Sequence, residues 1–230
     1  MNMMVFQEMP YIRPDMEAFG QAIREAAQAL RAARTYEEAR QACFEFQSRE
    51  EETETLFSIA YVRNTIDTTD EYYEGEVKWL QEESAKMIPL EKEYSLALAS
   101  CPFRADFEKE FGPQLMKQVD AALKTMDERI VNEKIREGEL CQAYQKDSAL
   151  AATDFRGEKC NFYGLLKHME STDREERKEA YHAWAGLYEQ ISPKLDAQYD
   201  ELVRLRTRMA RTLGFETYTE MAYLDRKSVV

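Results

Sequence analysis

Hydrophobic residues recur at helical spacing along most of the chain. After Arg13-Pro14-Asp15, one apolar stripe is formed by Ala18, Phe19, Ile23, Ala26, Ala27 and Leu30. Thr35 and Glu38 then match a capping box, in which a hydroxyl and a carboxylate each accept from a backbone N–H that the helix leaves unpaired. These patterns predict two amphipathic helices, one after each of these start signals.

The same kind of signal continues further along the chain. Thr68 and Glu71 predict the start of a third helix, whose apolar stripe comprises Tyr73, Val77, Leu80, Met87 and Ile88. Pro89 predicts a kink in it, because proline removes an amide donor. The Cys101-Pro102 step predicts a shorter helix, and Gly112-Pro113 predicts its end and the start of the next.

A long helical pattern from about Gln114 to Ala152 is followed by a break. In the stretch ATDFRGEKCNF, Gly157 separates two short extended runs, which predicts a small β-hairpin near residues 151–161. Thr172 with Glu175 predicts another helix, and Ser192-Pro193 predicts a separate helix after it. The fold class expected from the pattern is therefore all-α, with this one hairpin.

Two signals close the pattern. Gly214 can adopt the left-handed conformation that ends a helix, and Phe215 can supply the hydrophobic contact that accompanies it. Thr217 and Glu220 then match a capping box for a last, very short helix. Two turns are too few to persist in isolation, so this helix needs a packing partner.

Composition supports long helices and excludes several classes of partner. The chain has 230 residues with 8 Gly and 6 Pro, and its formal net charge is −13. Such a surface repels phosphate backbones and anionic lipids, so we expect neither nucleic-acid nor membrane binding. The densest basic run is interpreted as a solvated helix face rather than a phosphate site; it comprises Arg204, Arg206, Arg208 and Arg211.

Four cysteines lie far apart and form no C-x-x-C pair. Cys43, Cys101, Cys141 and Cys160 are typical of reduced thiols in a cytoplasmic protein, and neither a disulfide framework nor a cysteine-ligated zinc site is expected. The acidic run SREEETET favours a solvated helix face over a metal cluster.

No complete active-site motif occurs in the sequence. The only histidines, His168 and His182, are fourteen positions apart and lie outside any H-E-x-x-H motif. Glu179 and His182 form one E-x-x-H, the spacing used in di-iron bundles, but the second copy that such a site needs is missing. The many aromatic residues favour core packing, with a peptide-contacting groove as the alternative. We therefore assign no catalytic, cofactor-binding or metal-ligating residue.

Several stretches resemble the N-terminal half of the oligoendopeptidase F family, zinc metallopeptidases related to thimet oligopeptidase. In chain order they are FQEMPYIRPDMEAF, IAYVRNTIDTTDEYYEGE, CPFRADFEKEFGPQL, ATDFRGEKCNFYGLLKHMESTDREERKEAYHAWAGLYEQ and LDAQYDELVRLRTRMARTLGFETYTEMAYL. The resemblance implies a helical clamshell with a channel in which short peptides lie against a zinc ion. The family's zinc motif matches no position in this chain.

The resemblance also implies a division of the chain. Residues 1–112 would form an N-terminal helical lobe, and residues 113–224 a helical region leading into a catalytic domain. The last six residues, DRKSVV, are the translation of GATCGGAAGAGCGTCGTG from a common sequencing adapter, so residues 225–230 are expected to be a non-native tail. A natural short paralogue is the alternative.

These implications define the expected function. The chain would be the N-terminal fragment of a cytoplasmic zinc metalloendopeptidase. Zinc and short peptide substrates would belong to the full-length parent, and the fragment would be inactive alone. The alternative is a stand-alone helical peptide-binding or scaffold protein without catalysis.

Overall fold

The computed structural model describes residues 5–225, and this part of the chain is predominantly helical with one two-stranded antiparallel sheet. Short 3-10 turns occupy Phe6–Glu8 and Glu128–Ile130. In chain order the elements are α1 Met16–Ala32, α2 Tyr36–Ile66, α3 Glu71–Ala99, α4 Arg104–Phe111, α5 Pro113–Thr125, α6 Val131–Leu150, β1 Ala152–Phe155, β2 Glu158–Asn161, α7 Phe162–Met169, α8 Arg174–Thr212 and α9 Tyr218–Asp225. The predicted all-α class with a hairpin is confirmed. Residues 226–230 of the predicted tail lie outside the described residues.

Local capping chemistry explains where the first two helices begin. The Asp15 carboxylate accepts from Ala18 N at 2.9 Å, and the Thr35 hydroxyl accepts from Glu38 N at 3.2 Å. The Glu38 carboxylate reaches back to Arg34 N at 2.7 Å. Both N-termini thus have side-chain acceptors for amides that no helical carbonyl can reach.

The end of α8 is a Schellman motif. Gly214 has φ +88°, a value that costs an L-residue free energy but not glycine. Phe215 N donates to Ala210 O at 2.9 Å, and Gly214 N donates to Arg211 O at 3.1 Å. The helix end predicted at Gly214 is confirmed.

Two predicted helix starts are wrong by one or two residues. The side chain that caps α3 is Asp70, not Thr68, and it accepts from both Tyr72 N and Tyr73 N. At the start of α8, Asp173 rather than Thr172 accepts from Glu175 N at 3.0 Å. In both places a carboxylate, a stronger acceptor than a hydroxyl, lies closer to the helix.

Two predicted helix boundaries also differ from the structure. The single helix predicted over residues 114–152 is interrupted after Thr125, where the Asp127 side chain accepts from Arg129 N and starts a new turn. The break predicted at Ser192-Pro193 is absent. Helix α8 has 39 residues, and Pro193 lies inside it. The two helices predicted on either side of that proline are thus one helix. Pro89 likewise lies inside α3.

The chain forms two compact units. The first comprises the described residues up to Ile135 together with those from Thr207 onward, and the second comprises Arg136–Arg206. The predicted boundary at residue 112 was inferred from resemblance and stays a prediction.

In the first unit, α1 packs against α2 and α3, and α3 packs against α5. Its largest apolar cluster consists of Ala27, Leu30, Ala39, Ala97, Leu98, Cys101, Phe107, Met116 and Val119. The short helix α9 lies against α5, and its Met221 is fully buried. The last helix therefore has the packing partner that its length requires.

In the second unit, the hairpin and α7 share one apolar cluster with part of α8. Its buried members are Ala151, Phe155, Cys160, Leu165, Ala180 and Leu187. The strands pair in the register Phe155↔Glu158 and Thr153↔Cys160, so these four residues share one face of the sheet. That face covers α7.

Candidate functional site

In the E-x-x-H pair of α8, the glutamate binds an arginine and the histidine is exposed. Glu179 accepts from the Arg156 guanidinium at 2.8 Å, and the exposed His182 ring lies edge-on to Tyr181. His168 lies on another helix, α7, and binds Glu176. The two imidazoles of the chain therefore do not fit the H-E-x-x-H arrangement of a metallopeptidase.

Two of the four arginines of the basic run on α8 form ion pairs with acids. Arg204 pairs with Asp200, one helical turn earlier, and Arg206 binds Glu137 at 2.6 Å. Guanidinium groups already held by carboxylates are poor candidates for a phosphate site. The acidic run SREEETET lies within α2 and is mostly exposed. The acidic run is thus a solvated helix face, as predicted, whereas Arg206 of the basic run is partly buried in its ion pair.

An apolar groove opens on the first unit between α2, α3, α4 and α5. Its volume is about 610 Å³, and it is lined chiefly by Cys43, Phe44, Phe46, Tyr94, Leu98, Phe107, Phe111, Leu115, Val119 and Met126. Phe44 and Phe111 remain more than one-third exposed although their rings lie 6.1 Å apart. We call this surface the α2–α5 groove.

Polar groups border the α2–α5 groove. Glu50 and Glu91 line it and also line a second depression that continues along α2 and α3 past Phe57. Inside the groove, burial raises the pKa of the Cys43 thiol, which hydrogen-bonds with Tyr94. Burial also raises the pKa of the Tyr94 hydroxyl. Both groups are therefore neutral at pH 7, and the groove combines an apolar floor with acidic borders.

A different cluster lies in the second unit, where β2 meets α7. Within residues 5–225, one group of three metal-ligating side chains is close enough to hold an ion: Glu158, Cys160 and His168, with donor atoms within 4.8 Å of one another. Glu158 is exposed, Cys160 is 4% exposed and His168 is half-buried. No sequence motif links these three residues, so this cluster was not predicted.

Neighbouring residues hold His168 in place. Its Nδ1 lies 2.7 Å from the Glu176 carboxylate, and its ring lies 4.9 Å from the Phe155 ring. Ser171 Oγ donates to the other Glu176 oxygen at 2.7 Å. The bonds from Ser171, and then from His168, hold the pKa of Glu176 below its ordinary value.

Comparison with known proteins identifies the family. The model of the peptidase M3 N-terminal domain matches residues 6–126, and the model of peptidase family M3 matches residues 167–229. The chain belongs to the peptidase M3 family. A search of curated proteins finds no significant match.

Solved structures extend the M3 comparison to nearly the whole chain. PZ peptidase A, solved with an inhibitor, is 34% identical over 97% of this chain, with a TM-score of 0.93. A protein assigned as oligoendopeptidase F from Bacillus anthracis strain Ames is 31% identical over 99%, and another such assignment is 33% identical over 98%, both with TM-scores of 0.93. The chain spans only 40–42% of the length of these proteins. The resemblance noted in the sequence is thus confirmed, at the level of the M3 family and the N-terminal portion of a larger fold.

Within the described part of the chain, no helix is both long and apolar enough to cross a bilayer.

Proposed function

We propose that this chain is the N-terminal portion of a zinc metalloendopeptidase similar to oligoendopeptidase F, and that the full-length parent hydrolyses short peptides. The observation that carries the proposal is the match of nearly the whole chain to about two-fifths of each solved relative. The two family matches at residues 6–126 and 167–229 support it.

We further propose that the 230-residue chain does not hydrolyse peptides by itself. A zinc ion supplies Lewis-acid polarisation of a carbonyl and activation of water when two imidazoles and a carboxylate hold it. The sequence has two histidines, and neither belongs to an H-E-x-x-H motif. The contribution of this chain to the parent enzyme is therefore the structural framework and part of the peptide-contacting surface.

The α2–α5 groove is the surface on the first unit best suited to a peptide. Its aromatic and aliphatic lining suits apolar side chains, and Glu50 and Glu91 favour basic ones at the border. A location in the cytoplasm is also proposed, and the absence of a disulfide among the four cysteines supports it.

The test measures the hydrolysis of quenched fluorogenic peptides by two proteins. One is the chain of 230 residues, and the other joins residues 1–224 to the parent gene's own downstream reading frame through the complete catalytic domain that contains H-E-x-x-H. We expect turnover by the extended protein that is lost with a chelator and restored by zinc, and none by the shorter chain. Chelator-sensitive turnover by the purified shorter chain would overturn the proposal.

A second candidate is a stand-alone helical peptide-binding protein, and the accessible α2–α5 groove is the observation that favours it. The genomic DNA downstream of codon 224 separates the two candidates. An open frame that reaches H-E-x-x-H supports the enzyme fragment, whereas a native stop codon supports the binding protein. The codons of residues 225–230 provide an independent check, because codons unlike the adapter remove the argument for a non-native tail.

A further inference from the structure

We propose that Glu158, Cys160 and His168 form a zinc site that joins the β-hairpin to α7. The site is distinct from the metallopeptidase motif, which this chain lacks, and it gives the second unit a metal-binding function of its own. The three donor types are a carboxylate oxygen, a thiolate sulfur and an imidazole nitrogen. Thiolate and imidazole select zinc over magnesium or calcium, which prefer oxygen ligands.

The geometry of β2 and α7 brings the three ligands together. Glu158 and Cys160 are two positions apart on β2, and alternate residues of a strand project from the same face. His168 follows the fully buried Leu165 by three positions on α7, so both side chains point to the face of the helix that packs on the hairpin. Strand and helix periodicities thus bring all three donors to the same place.

Helix α7 approaches Cys160 closely. A Cβ placed on Gly164 would lie 3.2 Å from Cys160 Cβ and 3.4 Å from its Sγ. The Asn161 side chain accepts from Gly164 N at 2.9 Å and fixes the first turn of α7 beside the strand. The sulfur therefore sits at a well-defined position against the helix.

His168 has the carboxylate partner that is typical of a metal-binding histidine. Metal-binding histidines usually bond their second ring nitrogen to a carboxylate, which fixes the tautomer and the ring orientation. Here Nδ1 lies 2.7 Å from Glu176, so a neutral ring that donates from Nδ1 carries its lone pair on Nε2. Phe155 packs on the ring and adds a second restraint.

The distances require only a small rearrangement. Two ligands on one tetrahedral zinc ion lie roughly 3.5 Å apart, given metal–ligand distances of about 2.0–2.3 Å. The three donors are within 4.8 Å of one another, so small torsional changes in all three side chains, of which Glu158 is exposed, close the difference. Three protein ligands with one solvent-accessible side leave a fourth position for water.

The experiment uses cobalt(II) as a spectroscopic substitute for zinc on the metal-free chain of 230 residues. We expect one equivalent of cobalt to produce a thiolate-to-cobalt charge-transfer band, and one equivalent of zinc to displace it. Cys160→Ser should abolish the band, and His168→Ala should weaken cobalt binding at least tenfold. Glu176→Gln keeps the three ligands but removes the negative charge that contacts His168 Nδ1, and it should weaken cobalt binding roughly 10–100-fold.

Matched controls use the same residue types outside the cluster. His182→Ala and Cys141→Ser should leave both the band and the affinity unchanged. Glu158→Gln changes an exposed strand residue and should weaken binding, so it decides the question even if Cys160→Ser does not fold. The absence of a charge-transfer band in the unmodified chain, or a band that survives Cys160→Ser, would overturn the site. Because the readout is metal binding, its failure is distinct from a failure to hydrolyse peptides.

Discussion

At the scale of single residues, the most informative side chain is a buried carboxylate. Glu76 is 2% exposed; it accepts from Tyr11 Oη at 2.6 Å and from Arg13 Nε at 3.0 Å. The Arg13 guanidinium also lies 4.6 Å from the centroid of the Trp79 ring. These bonds tie the segment before α1 to α3. Helical spacing places Glu76 beside Tyr73 and Leu80, but the sequence does not show which groups pair with its carboxylate, because they lie more than sixty positions earlier.

We expect Glu76→Gln to lower the free energy of unfolding by about 2 kcal/mol, within the range for hydrogen bonds to charged groups. The amide is uncharged, and one of its two polar atoms is a donor, so Tyr11 or Arg13 loses its acceptor. The half-exposed Arg13 can recover water, which keeps the loss below that of a fully buried pair. Urea denaturation measures the change.

A matched control exists in the same unit. Glu110 accepts from Tyr36 Oη at 2.5 Å and from Arg40 Nε at 2.8 Å, which is the same chemistry at a solvent-accessible position. The bond to Glu110, together with the larger effect of burial, raises the pKa of Tyr36 to about 12. Glu110→Gln should cost clearly less than Glu76→Gln, because water replaces the lost bonds. Equal losses of unfolding free energy would show that burial does not determine how strongly this hydrogen-bonded carboxylate stabilises the fold.

The same carboxylate predicts a pH dependence. The Arg13 guanidinium, opposed in part by burial, holds the pKa of Glu76 below its ordinary value of 4.5. The folded state therefore binds this proton more weakly than the unfolded state, so the stabilisation is complete above pH 4.5 and is lost as pH falls through the lowered value. The stability difference between the unmodified chain and Glu76→Gln should be constant above about pH 5 and shrink below it. A difference that persists unchanged at about pH 3 would contradict the assignment.

At the scale of elements, most sequence signals that act through local contacts predicted the structure correctly, although the caps predicted at Thr68 and Thr172 were one or two residues early. Thr35, Gly214 and the hairpin turn were predicted because each acts within a few residues. The break at Pro193 was wrong because non-local contacts hold the following turn of α8: Lys194 and Gln198 both bind Asp147 on α6. The cluster of Cys160 with His168 was missed for the same reason, since it depends on how α7 packs on β2.

The hairpin turn supplies a prediction with an internal control. Arg156 and Gly157 have φ values of +50° and +88° between the paired residues Phe155 and Glu158, as a two-residue type I′ turn requires. Gly157→Ala should lower the free energy of unfolding by about 1–2 kcal/mol, because an L-residue is strained at positive φ. Chemical denaturation of both proteins measures the difference.

Gly186 is the control for that substitution. It lies inside α8 in the same unit, and no atom is within 4 Å of an added Cβ. Gly186→Ala should therefore raise stability by roughly 0.5–1 kcal/mol, because glycine loses more conformational freedom than alanine on entering a helix. If both substitutions changed the free energy of unfolding in the same direction, the positive φ at Gly157 would not be the cause of the change at that position.

At the scale of the whole molecule, the dominant property is an excess of negative charge. The sequence contains 44 acidic and 31 basic residues, which gives the formal net charge of −13. Long-range repulsion among these charges destabilises the compact state. Ion pairs oppose it, but exposed examples such as Arg49–Glu52 are weak and are themselves screened by salt. We therefore expect repulsion to be the larger of the two salt-sensitive effects.

Raising sodium chloride from about 10 mM to about 150 mM shortens the Debye length from about 30 Å to about 8 Å. At pH 7 this should raise the midpoint of thermal unfolding by about 2–4 °C, equivalent to about 1 kcal/mol for a chain of this size. Near the isoelectric point of about 4.8 the net charge disappears, so the same addition should leave the midpoint unchanged or lower it. A midpoint that falls with salt at pH 7 would show that the ion pairs, and not the excess charge, govern the response. Scanning calorimetry at both pH values separates the two effects, because only the repulsion depends on net charge.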